Sequence, residues 1–154
     1  MTGFEKATAL FAPVTALLND FVQMFDMDYS VALQPKFEAN LDTDVIGYAV
    51  AVPASATEAF VTDFLKRFPS CSCFDSFTLS FMHELGHLET ECDIVDDTEE
   101  RNTITDNETY FNLYNERIAT DWAGEYLTEN KNEMLMLERQ ILIELHKVWA
   151  KIPD

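Results

Sequence analysis

His83, Glu84 and His87 are the residues of this chain best equipped for chemistry, and in order they read His-Glu-x-x-His. The chain has 3 histidines, so two of them fall within one turn of a helix. Positions four apart share a helix face. Two neutral imidazoles placed this way offer nitrogens at about 2.0–2.1 Å to a metal ion, as the first two ligands of a catalytic zinc require. Glu84, beside the first histidine, stands where a general base would take a proton from water activated by the metal. Such a site needs a third protein ligand and one open coordination position.

Two residues compete for the third place. His146, the remaining histidine, has no motif around it and reads as a surface position on the last helix. Glu116 opens the run Glu116-Arg-Ile-Ala-Thr-Asp-Trp-Ala-Gly-Glu-Tyr-Leu127. At roughly 100° per residue, Glu116, Thr120, Ala123 and Leu127 share one arc of this helix, and Tyr114, Ile118 and Trp122 share another. The small residues Ala119, Ala123 and Gly124 would let this helix approach another closely. Spacing alone leaves Glu116 open between metal ligand and ordinary surface glutamate.

The motif helix itself should begin at Asp75 or Ser76 and run to about Leu88. Its wheel separates two sets: Phe77, Phe81, Leu85 and Leu88 on an arc that must face a core, and His83 and His87 with Ser76 and Ser80 on another. Glu84 falls between them. The histidines therefore read as the wall of a cleft. Gly86 costs a helix about 1 kcal/mol relative to alanine. Its presence there implies close approach by another backbone or by a substrate.

The remaining elements must hold these two helices together. Residues 3–26 carry apolar residues at helical spacing, with Pro13 kinking the run or starting a second helix. Residues 29–34 and 45–52 are short and partly β-branched, which predicts two strands, paired antiparallel, with Pro53 ending the second. Residues 55–67, 109–127 and 129–150 read as helices. In the last, Met134, Leu137, Ile141, Leu145 and Val148 form the stripe that should close the core. Residues 89–108 are acidic, with Arg101 the single cation among them. They read as a solvated loop with a short strand at residues 93–95, or as an acidic rim favouring basic substrate segments. The predicted fold is α+β: one mostly helical domain over residues 1–154 with a small antiparallel sheet of two or three strands.

Composition bounds the function. A length of 154 residues with 47% hydrophobic residues suffices for one core without staples. The formal net charge of −18 opposes direct nucleic-acid binding and docking on an anionic membrane. No run reaches the ~18 apolar residues of a membrane span. Cys71, Cys73 and Cys92 are an odd set with no secretory signal ahead of them, which implies reduced thiols and a cytoplasmic location. As a second metal site they lack a fourth ligand at a recognised spacing.

Phe77-Thr-Leu-Ser-Phe-Met-His-Glu-Leu-Gly-His87 resembles the "FTLAHELGH" segment of the ImmA/IrrE metallopeptidase family, with extra residues between Leu79 and His83. The helix from Glu116 to Leu127 is similar to that family's "ExxA(N/D)xFAxxLL" helix, and the order of elements over roughly residues 30–128 is similar too. The resemblance implies zinc held by His83, His87 and Glu116, with Glu84 as general base. It also implies a peptidase of a phage or mobile element whose protein substrate is a helix-turn-helix transcriptional repressor. The chain departs from the family pattern in having Thr120 where the family has Asn or Asp, with Asp121 one residue late, and Thr128-Glu129 where the family has "MP". Tyr110, Tyr114 and Tyr126 are the candidate hydrogen-bond donors to a substrate oxyanion. The rival expectation is an acidic binding protein without catalysis, a DNA mimic or an inhibitor of a basic host protein, that retains a metal site.

Overall fold

A computed structural model describes residues 2–151. The first helical stretch breaks in two: α1 spans Gly3–Leu10 and α2 spans Ala12–Val22. Pro13 lies in the first turn of α2, where its missing N–H costs nothing. Thr2 and Glu5 cap α1 reciprocally, each side chain taking the other's backbone N–H. Val14, Leu18, Phe21 and Val22 of α2 are buried in the core.

The sheet corrects the expected antiparallel pairing. β1 (Ser30–Leu33) runs parallel to β3 (Val45–Tyr48), with Val31 opposite Ile46. A third strand, β2 (Glu38–Asn40), pairs antiparallel with β3, giving the order β1-β3-β2 and a mixed sheet. The chain crosses from β1 at Pro35, returns along β2 and turns back into the middle. Asn40 makes that turn by accepting the backbone N–H groups of Asp42 and Thr43. Asp44 completes it at φ 57°, a conformation open to Asp and Asn. The free edge of β1 is occupied by Asn19 of α2, which accepts from Val31 N at 2.8 Å and donates to Val31 O at 3.2 Å. That contact satisfies the Val31 backbone groups that the outer strand edge would otherwise leave unpaired.

The other helices are α3 (Ala54–Arg67), α4 (Ser76–Glu89), α5 (Thr98–Thr103), α6 (Asn107–Phe111), α7 (Tyr114–Glu129) and α8 (Lys131–Lys151). Residues 93–95 form no strand; a 3-10 turn at Glu91–Asp93 runs into extended chain at Ile94. The helix expected over 109–127 is divided between α6 and α7, separated by Asn112 and Leu113. Among the described residues no helix is long and apolar enough to cross a membrane.

α4 is the centre of the molecule. It touches β2, β3 and α3 and packs along α7 more extensively than any other two helices pack. Its burial is wider than the two-arc wheel implies, because Thr78, Leu79, Met82 and Gly86 are enclosed along with the Phe81–Leu85 face. Its N-terminus is held twice. Asp75 caps it by accepting from Phe77 N. Glu138 of α8, itself buried, accepts from Asp75 N at 2.9 Å and from the Thr78 hydroxyl at 2.6 Å. α8 thus closes the core through Met134, Ile141, Leu145 and Val148 and also fixes the start of the motif helix.

Candidate metal centre

Gly86 determines how α4 meets α7. A Cβ there would overlap the carbonyl oxygen of Ala119 and stand 3.1 Å from Ala119 Cα. The two backbones touch at this point, so the side chains on either side of it are brought face to face. On α7 a Cβ at Gly124 would likewise run into the Phe68 ring. The arc that carries Glu116, Thr120, Ala123 and Leu127 is buried against α4, whereas Tyr114 on the other arc is 50% exposed.

The close approach gathers three donor atoms. His83 Nε2 lies 3.1 Å from Glu116 Oε1, His87 Nε2 lies 3.2 Å from the same oxygen, and the two Nε2 atoms are 3.1 Å apart. Tetrahedral ligands at ~2.0–2.1 Å from a metal stand about 3.3 Å from one another. The observed triangle is within a few tenths of an ångström of that. Two imidazole lone pairs and a carboxylate oxygen aimed at one point repel unless a proton or a cation lies between them, so the donor set suits a dication. His83, Glu84 and His87 likewise each bring one ligand atom to within 4.8 Å of the others and could hold a metal ion.

His83 is buried and pinned from its far side. Its Nδ1 shares a 2.9 Å hydrogen bond with the Thr120 hydroxyl, which leaves Nε2 directed at the centre. Thr120 therefore occupies the supporting place that the departure from Asn or Asp left in question. Asp121 points elsewhere, 4.0 Å from Arg67. The Phe60 ring lies edge-on to His83 with centroids 5.2 Å apart and covers it from α3.

The second oxygen of Glu116 is also taken. Arg101 donates to Oε2 at 2.6 Å, and its Nε donates to Asp97 at 2.8 Å. Asn115 donates to Asp97 at 3.2 Å and clasps the backbone of Val95, accepting from its N and donating to its O. Residues 95–101, expected as a solvated loop, are fastened to the start of α7 and end on the candidate ligand. Sequence reasoning missed Arg101, Asp97 and Asn115 as site residues. The available signal was the lone cation in an acidic run.

The electrostatics follow from this crowding. Burial opposes the charge on Glu116, but the hydrogen bonds with His83 and His87 outweigh it and hold the carboxyl well below the usual range. Burial opposes protonation of His87, but Glu116 outweighs it and raises the imidazole. Burial pushes the Glu84 carboxyl up; the two histidines oppose the shift and Glu116 adds to it. Glu84 lines the wall of a pocket of about 280 Å³ together with His83, Glu116, Phe60, Tyr110 and Lys36. A larger hollow of about 530 Å³ reaches towards Leu145 and Trp149. It shares Phe37, Val52, Thr57 and Ser80 with the first, so the two form one groove.

Of the three candidate tyrosines only Tyr110 lines this pocket. Tyr126 stacks on Trp122, with ring centroids 5.3 Å apart. His146 is exposed on α8, and Cys71 is buried while Cys73 and Cys92 are exposed and free. Among the described residues the cysteines form no group that could hold a metal. Compared with known proteins, the chain is matched by no protein-family model, no curated protein and no solved structure.

Proposed function

We propose that this chain is a zinc-dependent peptidase, with His83, His87 and Glu116 as the metal ligands and Glu84 as the general base. The observation that carries the reading is the triangle of 3.1, 3.1 and 3.2 Å formed by His83 Nε2, His87 Nε2 and Glu116 Oε1 beside an open pocket. Zinc held there would supply a Lewis acid that lowers the pKa of water towards ~7 and polarises a peptide carbonyl. Other hard or borderline dications suit an N/N/O donor set, and zinc is preferred for its tetrahedral habit.

The chain's own groups divide the remaining work. Glu84 accepts a proton from the attacking water and returns it to the leaving amine, a task suited to a carboxyl raised by burial. Thr120 holds the His83 ring, and by accepting the Nδ1 proton it would leave Nε2 as the lone-pair donor. Phe60 and Phe111 give the reacting end of the groove an apolar wall. The groove admits a polypeptide segment, and the net charge of −18 favours a basic one. A helix-turn-helix repressor is a protein substrate of that kind, in keeping with the resemblance to the ImmA/IrrE family.

Zinc content and cleavage of a mixed peptide library, measured on purified wild-type chain and on Glu84→Gln, test the assignment. The variant should bind one zinc as the wild type does and lose about 10²–10⁴-fold in cleavage rate, the range attributed to general acid–base catalysis. Undiminished cleavage by Glu84→Gln would overturn the role of Glu84. Absence of stoichiometric metal, with salt-dependent capture of a basic protein, would favour the acidic binding protein instead.

A further inference from the structure

We infer that Arg101 is a positioning residue of the metal centre, which restricts Glu116 to binding a metal through a single oxygen and so holds the coordination number at four, with one position left to solvent. The inference rests on the metal-centre reading above. Glu116 has two carboxylate oxygens, and the structure assigns them opposite tasks. Oε1 faces both imidazoles, at 3.1 and 3.2 Å, while Oε2 accepts from Arg101 at 2.6 Å. A carboxylate with a free second oxygen can swing to bind a metal through both, as carboxylates do at larger ions. Here the second oxygen is engaged in a charge-assisted hydrogen bond, among the stronger kinds.

The guanidinium is itself held in place. Asp97 fixes its Nε side at 2.8 Å, its Cζ lies over the Tyr110 ring, 5.5 Å from the centroid, and Asn115 fixes Asp97 in turn. A planar fork can serve Asp97 and Glu116 at once, whereas a lysine ammonium has no such fixed geometry. The side chain of Glu116 is 6% exposed and that of Asp97 10%, so both partners are withdrawn from competing water. Arg101 also adds a positive charge next to the buried Glu116. The acidic stretch ahead of α7 therefore carries the outer half of the centre, and its one cation is the part that touches a ligand.

Cobalt(II) substituted into the full chain reports the coordination number. Four-coordinate cobalt absorbs several-fold more strongly in the visible than five-coordinate cobalt, because the tetrahedral field mixes more p character into the d orbitals. Wild type should give the strong band. Arg101→Gln should give a several-fold weaker one, as the freed carboxylate takes a second position, and should weaken zinc binding by about 10–100-fold in competition with a chelator. Arg101→Lys keeps the charge but not the fork and should fall between the two. Asp97→Asn, which loosens the guanidinium while leaving it in place, should shift the band in the same direction and covers the case in which Arg101→Gln does not fold. A folded Arg101→Gln or Asp97→Asn with the wild-type spectrum and affinity would overturn the inference while leaving the centre standing. A wild-type chain that takes up neither cobalt nor zinc would overturn the metal-centre reading itself, and the inference with it.

Discussion

Gly86→Ala tests whether the proposed metal centre depends on contact between the α4 and α7 backbones. The added Cβ would overlap the Ala119 carbonyl oxygen and lie 3.1 Å from both its carbonyl carbon and its Cα. Carbon atoms rest at ~3.5–4.0 Å, so the helices must part by roughly half an ångström to an ångström. Neither partner can rotate away, since all the atoms concerned belong to the backbone. Alanine returns about 1 kcal/mol of helix propensity, and overpacking of this kind costs about 1–3 kcal/mol. With backbone on both sides the cost lies at the upper end, for a net loss of about 1–2 kcal/mol. In a domain of this size that lowers Tm by roughly 3–6 °C. The same displacement opens the 3.1 Å gap between His83 Nε2 and Glu116 Oε1 and takes it past the tetrahedral spacing. Zinc affinity should then fall by about tenfold or more. Thermal denaturation of the metal-free chain and a zinc competition titration measure the two effects separately. Gly3→Ala is the control, because nothing lies within 4 Å of its missing Cβ; it should be neutral or mildly stabilising. A Gly86→Ala chain as stable as wild type, with unchanged zinc affinity, would refute the idea that backbone contact sets the ligand spacing.

Thr120→Val removes the hydroxyl that holds His83 Nδ1 and keeps the shape; zinc affinity should drop about 10–100-fold. Asp121→Ala should leave that affinity unchanged, and the reverse pattern in a chelator titration would reassign the support to Asp121. Glu138→Leu strips the acceptor from Asp75 N and Thr78 Oγ1 and should destabilise the fold by about 1–3 kcal/mol in urea denaturation. Glu138→Gln, whose amide oxygen still accepts, should cost less than about 1 kcal/mol; equal losses from both would show that charge, not hydrogen bonding, is what α8 contributes.

Much of this centre could be read from the sequence because its chemistry is spaced within helices. His83 and His87 share a face by periodicity, Glu116 and Thr120 share another, and Gly86 marks where the two helices meet. Those inferences need only the 3.6-residue turn. The sheet could not be read in the same way. β2 is Glu38-Ala-Asn40, three residues with no β-branched member, and it is a strand only because β3 offers it an edge. Without β2 in view, two successive strands joined by residues 35–44 with no element between them read as an antiparallel pair. With β2 taking the antiparallel place beside β3, β1 is left the parallel one. Arg101 was hidden for a different reason. Its position in an acidic run gives a local explanation for a cation, namely solvated charge balance. Its actual partners, Asp97 four residues before and Glu116 fifteen after, are brought together only when Asn115 ties Val95 down onto α7. The residues that would bind the metal are legible because each lies on a helix with its neighbours. The residue that would orient them is not, because its place depends on where a non-helical segment is fastened.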